Sequence, residues 1–171
     1  MMVHGGVMAT DATILLETLN GQRRHVLGIL DGLSDEDLRR PVLPSGWSCL
    51  GLVQHLALDV ERFWFRAVVD GEQVDLKIED EAWRVPPETS AQEIFDLYRR
   101  EIALADAVVA RTPLDAEPAW WPTEVFGDDF PSRPLLGTLL HVITETATHA
   151  GHLDAARELI DKRTWLIVTD R

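Results

Sequence analysis

The run PLLGTLLHVITETATHAGHL, residues 134–153, decides the fold. Its apolar residues recur at three- and four-residue steps, the period of an α-helix. Leu135, Leu139, Val142 and Leu153 form one stripe. Leu136, Leu140, Ile143 and Ala147 form a second, turned by about 100°. A helix apolar over so much of its surface is buried over most of it. One stripe is therefore expected to face a bundle interior and the other a second copy of the chain, which predicts a homodimer. The helix is expected from about Arg133, with Pro134 suited to the first turn, to about Asp161.

Working outward, three more long segments carry the same period. Asp11 to Leu33 presents Leu15, Leu19, Val26, Leu27 and Leu30, with Gly32 at its end. A short turn follows at Ser34–Asp37. Cys49 to Val69, capped by Ser48, buries Leu52, Leu56, Val60, Phe63 and Trp64. The third opens on a capping box, Ser90-Ala91-Gln92-Glu93, and runs to about Arg111 through Ile94, Leu97, Tyr98, Ile102 and Val108. Long irregular stretches, Gly71–Thr89 and Thr112–Ser132, separate helices 2–3 and 3–4. The second holds Trp120, Trp121 and Phe126, which favour an ordered flap over a linker. No strand-period alternation occurs, and an all-α four-helix bundle is the simplest way to bury four stripes. Residues 1–10 are expected to be a disordered extension and 11–171 a single domain. Trp165 to Val168 reads as a short terminal extension packed on the body.

Of 171 residues, 16 are Lys or Arg and 29 Asp or Glu, a formal net charge of −13. Such acidity repels phosphate backbones and anionic lipid, so nucleic-acid and membrane partners are not expected. No segment approaches the roughly 20 apolar residues of a membrane span, and no secretory leader is legible. The one cysteine, Cys49, allows no internal disulfide. A cytoplasmic setting is consistent with all of this.

The chemistry lies on the fourth helix. His141, Glu145, His149 and His152 are spaced 4, 4 and 3 residues apart, which places them in a stripe about 80° wide. Glu145 and His149, one turn apart, are able to bind one ion together. A third ligand must come from another helix. His55 sits beside Leu52 and Leu56, where an imidazole without a partner loses hydration uncompensated. Two imidazoles and a carboxylate leave a coordination position open to water or substrate. Zn²⁺ suits that set, as do Ni²⁺, Fe²⁺ and Mn²⁺. Each signal alone has a plainer explanation: a lone histidine beside an apolar face is usually a packing residue, and E-x-x-x-H recurs by chance on helices. It is the shared stripe that argues for a metal. His4 reads as terminal and inert, and His25 as a surface or packing residue.

Two blocks carry a resemblance: Gly46-Trp47-Ser48-Cys49-Leu50-Gly51-Leu52-Val53-Gln54-His55-Leu56 with Glu61-Arg62-Phe63-Trp64-Phe65, and Leu140 to Asp154 with Arg157-Glu158-Leu159-Ile160-Asp161. The chain resembles the DinB-like metalloprotein superfamily, in particular its mycothiol- and bacillithiol-dependent S-transferase branch. The resemblance implies an up-down-down-up-type four-helix bundle, usually dimeric, and a triad that falls on His55, Glu145 and His149. His152 either replaces Glu145 as ligand or acts as an acid/base beside the metal, the catalytic role assigned to it here. Asp154 either orients a histidine or is structural. Arg157 binds either an anionic substrate or a neighbouring carboxylate. The activity implied is metal-dependent S-transfer, the ion activating a low-molecular-weight thiol cosubstrate toward a small-molecule electrophile. Metal-assisted hydrolysis and a non-enzymatic, stress-related binding dimer are the alternatives.

Overall fold

The computed structural model describes residues 4–76, 80–127 and 131–165, with the side chains of residues 4–10 and 126 outside the description. Every regular element among them is helical. In chain order these are α1 (His4–Ile29), α2 (Asp35–Arg39), α3 (Cys49–His55), which continues without a break as a π-helix (Leu56–Val69), a 3₁₀ turn (Glu81–Trp83), α4 (Ala91–Arg111), α5 (Thr123–Phe126) and α6 (Leu135–Asp161). No helix among the described residues is long and apolar enough to cross a membrane.

The punctuation lies where the residue types demand it. Ser34, Ser48 and Ser90 each accept a backbone N–H at a helix start, and Glu93 returns the bond to complete the capping box. Pro134 stands immediately before α6. Gly32 adopts a φ of 75°, which a side chain would oppose. The helical backbone of α1 reaches back to His4, into the stretch expected to be an unstructured extension; Met1–Val3 lie outside the described residues. The expected packing of Leu166–Val168 also lies outside them, while Trp165 packs against Gly28, where an added Cβ would stand 2.6 Å from the indole.

α1 packs along α6, and the π-helical segment packs along α4 and against α6. One core cluster draws on all the long helices, with Leu19, Leu52, Leu56, Tyr98, Leu139, Val142 and Leu153 at most 1 % exposed. In α6, Leu135, Leu139, Val142 and Leu153 are buried, whereas Leu136 and Leu140 of the second stripe are 40 % and 50 % exposed and Ile143 of that stripe packs partly buried against the core.

The apolar period predicts one uniform α-helix over residues 49–69. The backbone instead widens at Leu56 into fourteen residues of π-helix. The amide of Leu56 already reaches the carbonyls of both Leu52 and Val53, and Asp70 donates to Phe65, five residues back, at 3.1 Å. The wider turn changes which residues share a face. Leu56, Ala57, Leu58, Val60, Glu61, Trp64, Phe65, Ala67, Val68 and Val69 are all buried, more than an α-helical stripe would hold.

Two buried charges cross this core. Glu61, fully buried, receives Arg23 Nε at 2.7 Å and Nη2 at 2.6 Å, while Arg23 also reaches Asp106 at 2.6 Å. Burial pushes the Glu61 carboxyl upward against the pull of Arg23. Glu101, 1 % exposed, is held by Arg62 at 2.8 Å and Arg66 at 2.6 Å. These pairs tie α1, the π-helix and α4 into one arrangement.

Candidate functional site

His55 occupies the last α-helical position before the backbone widens. Its neighbours Leu52, Val53 and Leu56 are at most 1 % exposed, while its own side chain retains 15 %. Its Nδ1 lies 2.8 Å from Oδ2 of Asp59, four residues on. A carboxylate only accepts, so Nδ1 is the donor in this contact. The indole of Trp83 lies flat on the ring, with centroids 4.1 Å apart and planes 18° from parallel.

Trp83 is delivered by a strap of backbone that crosses α3. Gln54 Nε2 approaches the carbonyls of Glu81, Ala82 and Arg84 at 3.4, 2.9 and 3.2 Å. Gly51 lets the strap come close, because a Cβ there would collide with the carbonyl oxygen of Trp83. Arg39 adds bonds to the carbonyls of Pro86 and Thr89 further along.

From α6, His149 turns its ring toward His55, edge to face at 5.1 Å between centroids. Its Nε2 stands 3.6 Å from Oε2 of Glu145, and its Nδ1 3.5 Å from Nδ1 of His152. Glu145 and His152 therefore flank opposite nitrogens of one imidazole. Trp83 borders His149 at 5.8 Å and Trp47 borders His152 at 6.3 Å. Burial, then the neighbouring His55 and His152, pulls the His149 pKa down to about 4. At neutral pH it is an unprotonated imidazole, the form that binds metals.

The two helices thus bring His55, Glu145, His149 and His152 together. Their donor chemistry, three imidazoles and a carboxylate, suits a divalent cation. As they stand they do not close on one point: among the described residues no group of three or more His, Cys, Asp or Glu forms a ready metal cluster.

His141 shares their stripe but meets other company. Its ring contacts Trp64 at 4.6 Å, with Trp121 6.0 Å beyond and the Arg133 guanidinium 5.7 Å over Trp64. Burial, then Arg133, lowers its pKa, opposed by Glu145. The aromatic flap reaches the body here: the amides of Ala119 and Trp120 donate to the carbonyls of Val69 and Val68 at 3.2 and 3.1 Å.

Asp154 and Arg157 bind the backbone of neighbouring segments and, for Arg157, a carboxylate. Asp154 accepts the amide of Trp165 at 2.6 Å. Arg157 donates to the carbonyls of Ile29 and Asp31 at 2.6 and 2.8 Å and pairs with Asp161, closing the end of α1 onto α6. Cys49 is buried, which pushes its thiol up to about 11 and leaves it inert at neutral pH. His25 is half-buried away from the cluster, and the side chain of His4 lies outside the described residues.

Asp59, Trp83 and Trp47 escaped the sequence reading as neighbours of the site. The spacing H-x-x-x-D of His55 and Asp59 was a legible signal for the first. Nothing in a loop sequence announces that Trp83 will fold back onto α3.

Compared with protein-family models, residues 14–162 match the one described as mycothiol-S-transferase. No curated protein and no solved structure matches the chain.

Proposed function

Because the chain belongs to the mycothiol S-transferase family, a DinB-like family, we propose that it joins a low-molecular-weight thiol of the mycothiol class to a small electrophile at a divalent cation held by His55, Glu145 and His149. The observation that carries the reading is the approach of His55, from one helix, to His149 on another, 5.1 Å between ring centroids, with the Glu145 carboxylate 3.6 Å from Nε2 of His149. Zn²⁺ suits this donor set best, with Ni²⁺, Fe²⁺ and Mn²⁺ as alternatives. A bound cation supplies Lewis acidity that lowers the pKa of the thiol.

The chain's own groups do the rest. His149, already neutral, presents a lone pair without first losing a proton. Trp83 covers both imidazoles and keeps water from them on that side. His152, exposed at the mouth beside His149, takes up the thiol proton and returns it to the leaving group as the new carbon–sulfur bond replaces the old bond to carbon. The exposed Leu136 and Leu140 of α6 form the contact of a homodimer in this proposal.

The test is metal analysis of purified wild type beside His55→Ala and His149→Ala, followed by calorimetric titration of mycothiol into zinc-loaded and stripped protein. Stoichiometric metal in the wild type alone, with mycothiol binding only when loaded, is expected. Equal metal content in all three, or thiol binding indifferent to metal, overturns the proposal.

A further inference from the structure

The ring of His55 is gripped twice. Asp59 Oδ2 takes its Nδ1 at 2.8 Å, and the Trp83 indole lies on its face at 4.1 Å. The two contacts act on different freedoms. The carboxylate fixes which nitrogen bears the proton and the rotation of the ring in its plane. The indole fixes the plane itself. Neither partner is loosely held: Asp59 is one helical turn from His55 on the same rigid element, and Trp83 is anchored through Gln54 and the absence of a side chain at Gly51. A free imidazole divides between two tautomers and several ring orientations, and only one combination offers Nε2 to a given point in space.

We propose that Asp59 and Trp83 are positioning residues for His55, selecting the Nδ1–H tautomer and turning the Nε2 lone pair toward Glu145 and His149. The inference rests on the reading of His55 as a metal ligand, but its first consequence, the tautomer, exists without metal. A carboxylate that holds one ring nitrogen orients the other toward a metal and is commonly worth about 10- to 100-fold in metal affinity. Trp83 contributes orientation without altering the proton's place, so the two residues differ in their effects.

Two readouts separate them. Two-bond ¹H–¹⁵N correlation spectra of metal-free protein report the tautomer of each histidine, and zinc affinity is measured by competition with a chromophoric chelator. Wild type is expected to show His55 protonated on Nδ1. Asp59→Ala loses that preference and binds zinc about 10- to 100-fold more weakly. Asp59→Asn, whose amide is able to donate to Nδ1 as well as accept from it, also loses the preference while keeping the shape of the side chain. Trp83→Leu keeps the tautomer while weakening zinc. Circular dichroism confirms that each variant is folded. An Asp59→Ala protein that keeps both the wild-type tautomer and the wild-type affinity overturns the proposal. A wild type that binds no zinc overturns the metal reading instead, and the tautomer comparison still decides the role of Asp59.

Discussion

Gly51→Ala sets two effects against each other, and the structure decides the sign. In a helix, alanine is favoured over glycine by up to about 1 kcal/mol. At position 51, however, the new Cβ would collide with the carbonyl oxygen of Trp83 and stand 3.2 Å from its carbonyl carbon. The strap must retreat by about an ångström to restore ordinary van der Waals distance. Gln54 reaches that strap at 2.9, 3.2 and 3.4 Å, so the same retreat carries all three bonds out of range. Overpacking of this kind costs about 1–3 kcal/mol, and each lost bond about 0.5–1.5 kcal/mol. After the propensity gain, a net loss of at least about 2 kcal/mol is expected. At about 2–4 °C per kcal/mol, the melting midpoint falls by at least about 4 °C. Thermal melting followed by circular dichroism measures it. Gly151→Ala is the control: a Cβ there meets nothing within 4 Å, so this substitution gains up to about 1 kcal/mol. If Gly51→Ala proves as stable as wild type, or more so, the strap does not lie on α3 as described. The support of Trp83 over His55 then fails with it.

Folded His149 titrates near 4, against about 6.5 when unfolded. Between those values the unfolded state alone holds the proton, so lowering pH through this window destabilises chelator-treated protein, by roughly 2–4 kcal/mol at its lower end. His149→Gln should flatten that slope in pH-dependent urea melts; an unchanged slope refutes the assignment. Arg23→Met strips Glu61 of its partner at zero exposure and should cost about 3–5 kcal/mol. Most of this should return in Arg23→Met/Glu61→Leu, as read by thermal melting; no recovery would mean that packing rather than charge is at stake. Leu140→Glu on the exposed stripe of α6 should convert a dimer to monomer in size exclusion with light scattering. A wild type that already runs as a monomer at micromolar concentration ends the dimer proposal.

What the sequence disclosed was local order. The box at Ser90 and Glu93, Pro134 before α6, and the burial of Leu135, Leu139, Val142 and Leu153 all follow from short-range periodicity and capping chemistry. The partnership of Glu145 with His149 belongs to the same class, being one turn of one helix. The approach of His55 was inferred from the cost of leaving an imidazole among leucines, a long-range consequence of a local oddity. Three features stayed hidden because their causes are tertiary. The widening at Leu56 follows no residue type that forbids an α-helix. The union of Arg23 with Glu61 joins residues 38 apart, each of which looks like an ordinary surface charge in the string. Trp83 reaches His55 by the path of a loop, and hydrophobic period says nothing about paths.

The π-helical stretch puts a constraint on chain length rather than on residue identity. Each wide turn accommodates more residues than an α-turn, so losing one residue between 56 and 69 would invite the segment to tighten. Where no wide turn closed to take up the loss, everything beyond the deletion would rotate by about 100° relative to His55. Glu61 would swing off Arg23, or Arg62 and Arg66 off Glu101, depending on where the residue was lost. Substitutions in that stretch are graded in their harm by size and polarity, whereas a single-residue deletion is mild only where a wide turn closes and takes it up. Elsewhere it would set the imidazole at one end against the ion pairs at the other, and only one of them would keep its place.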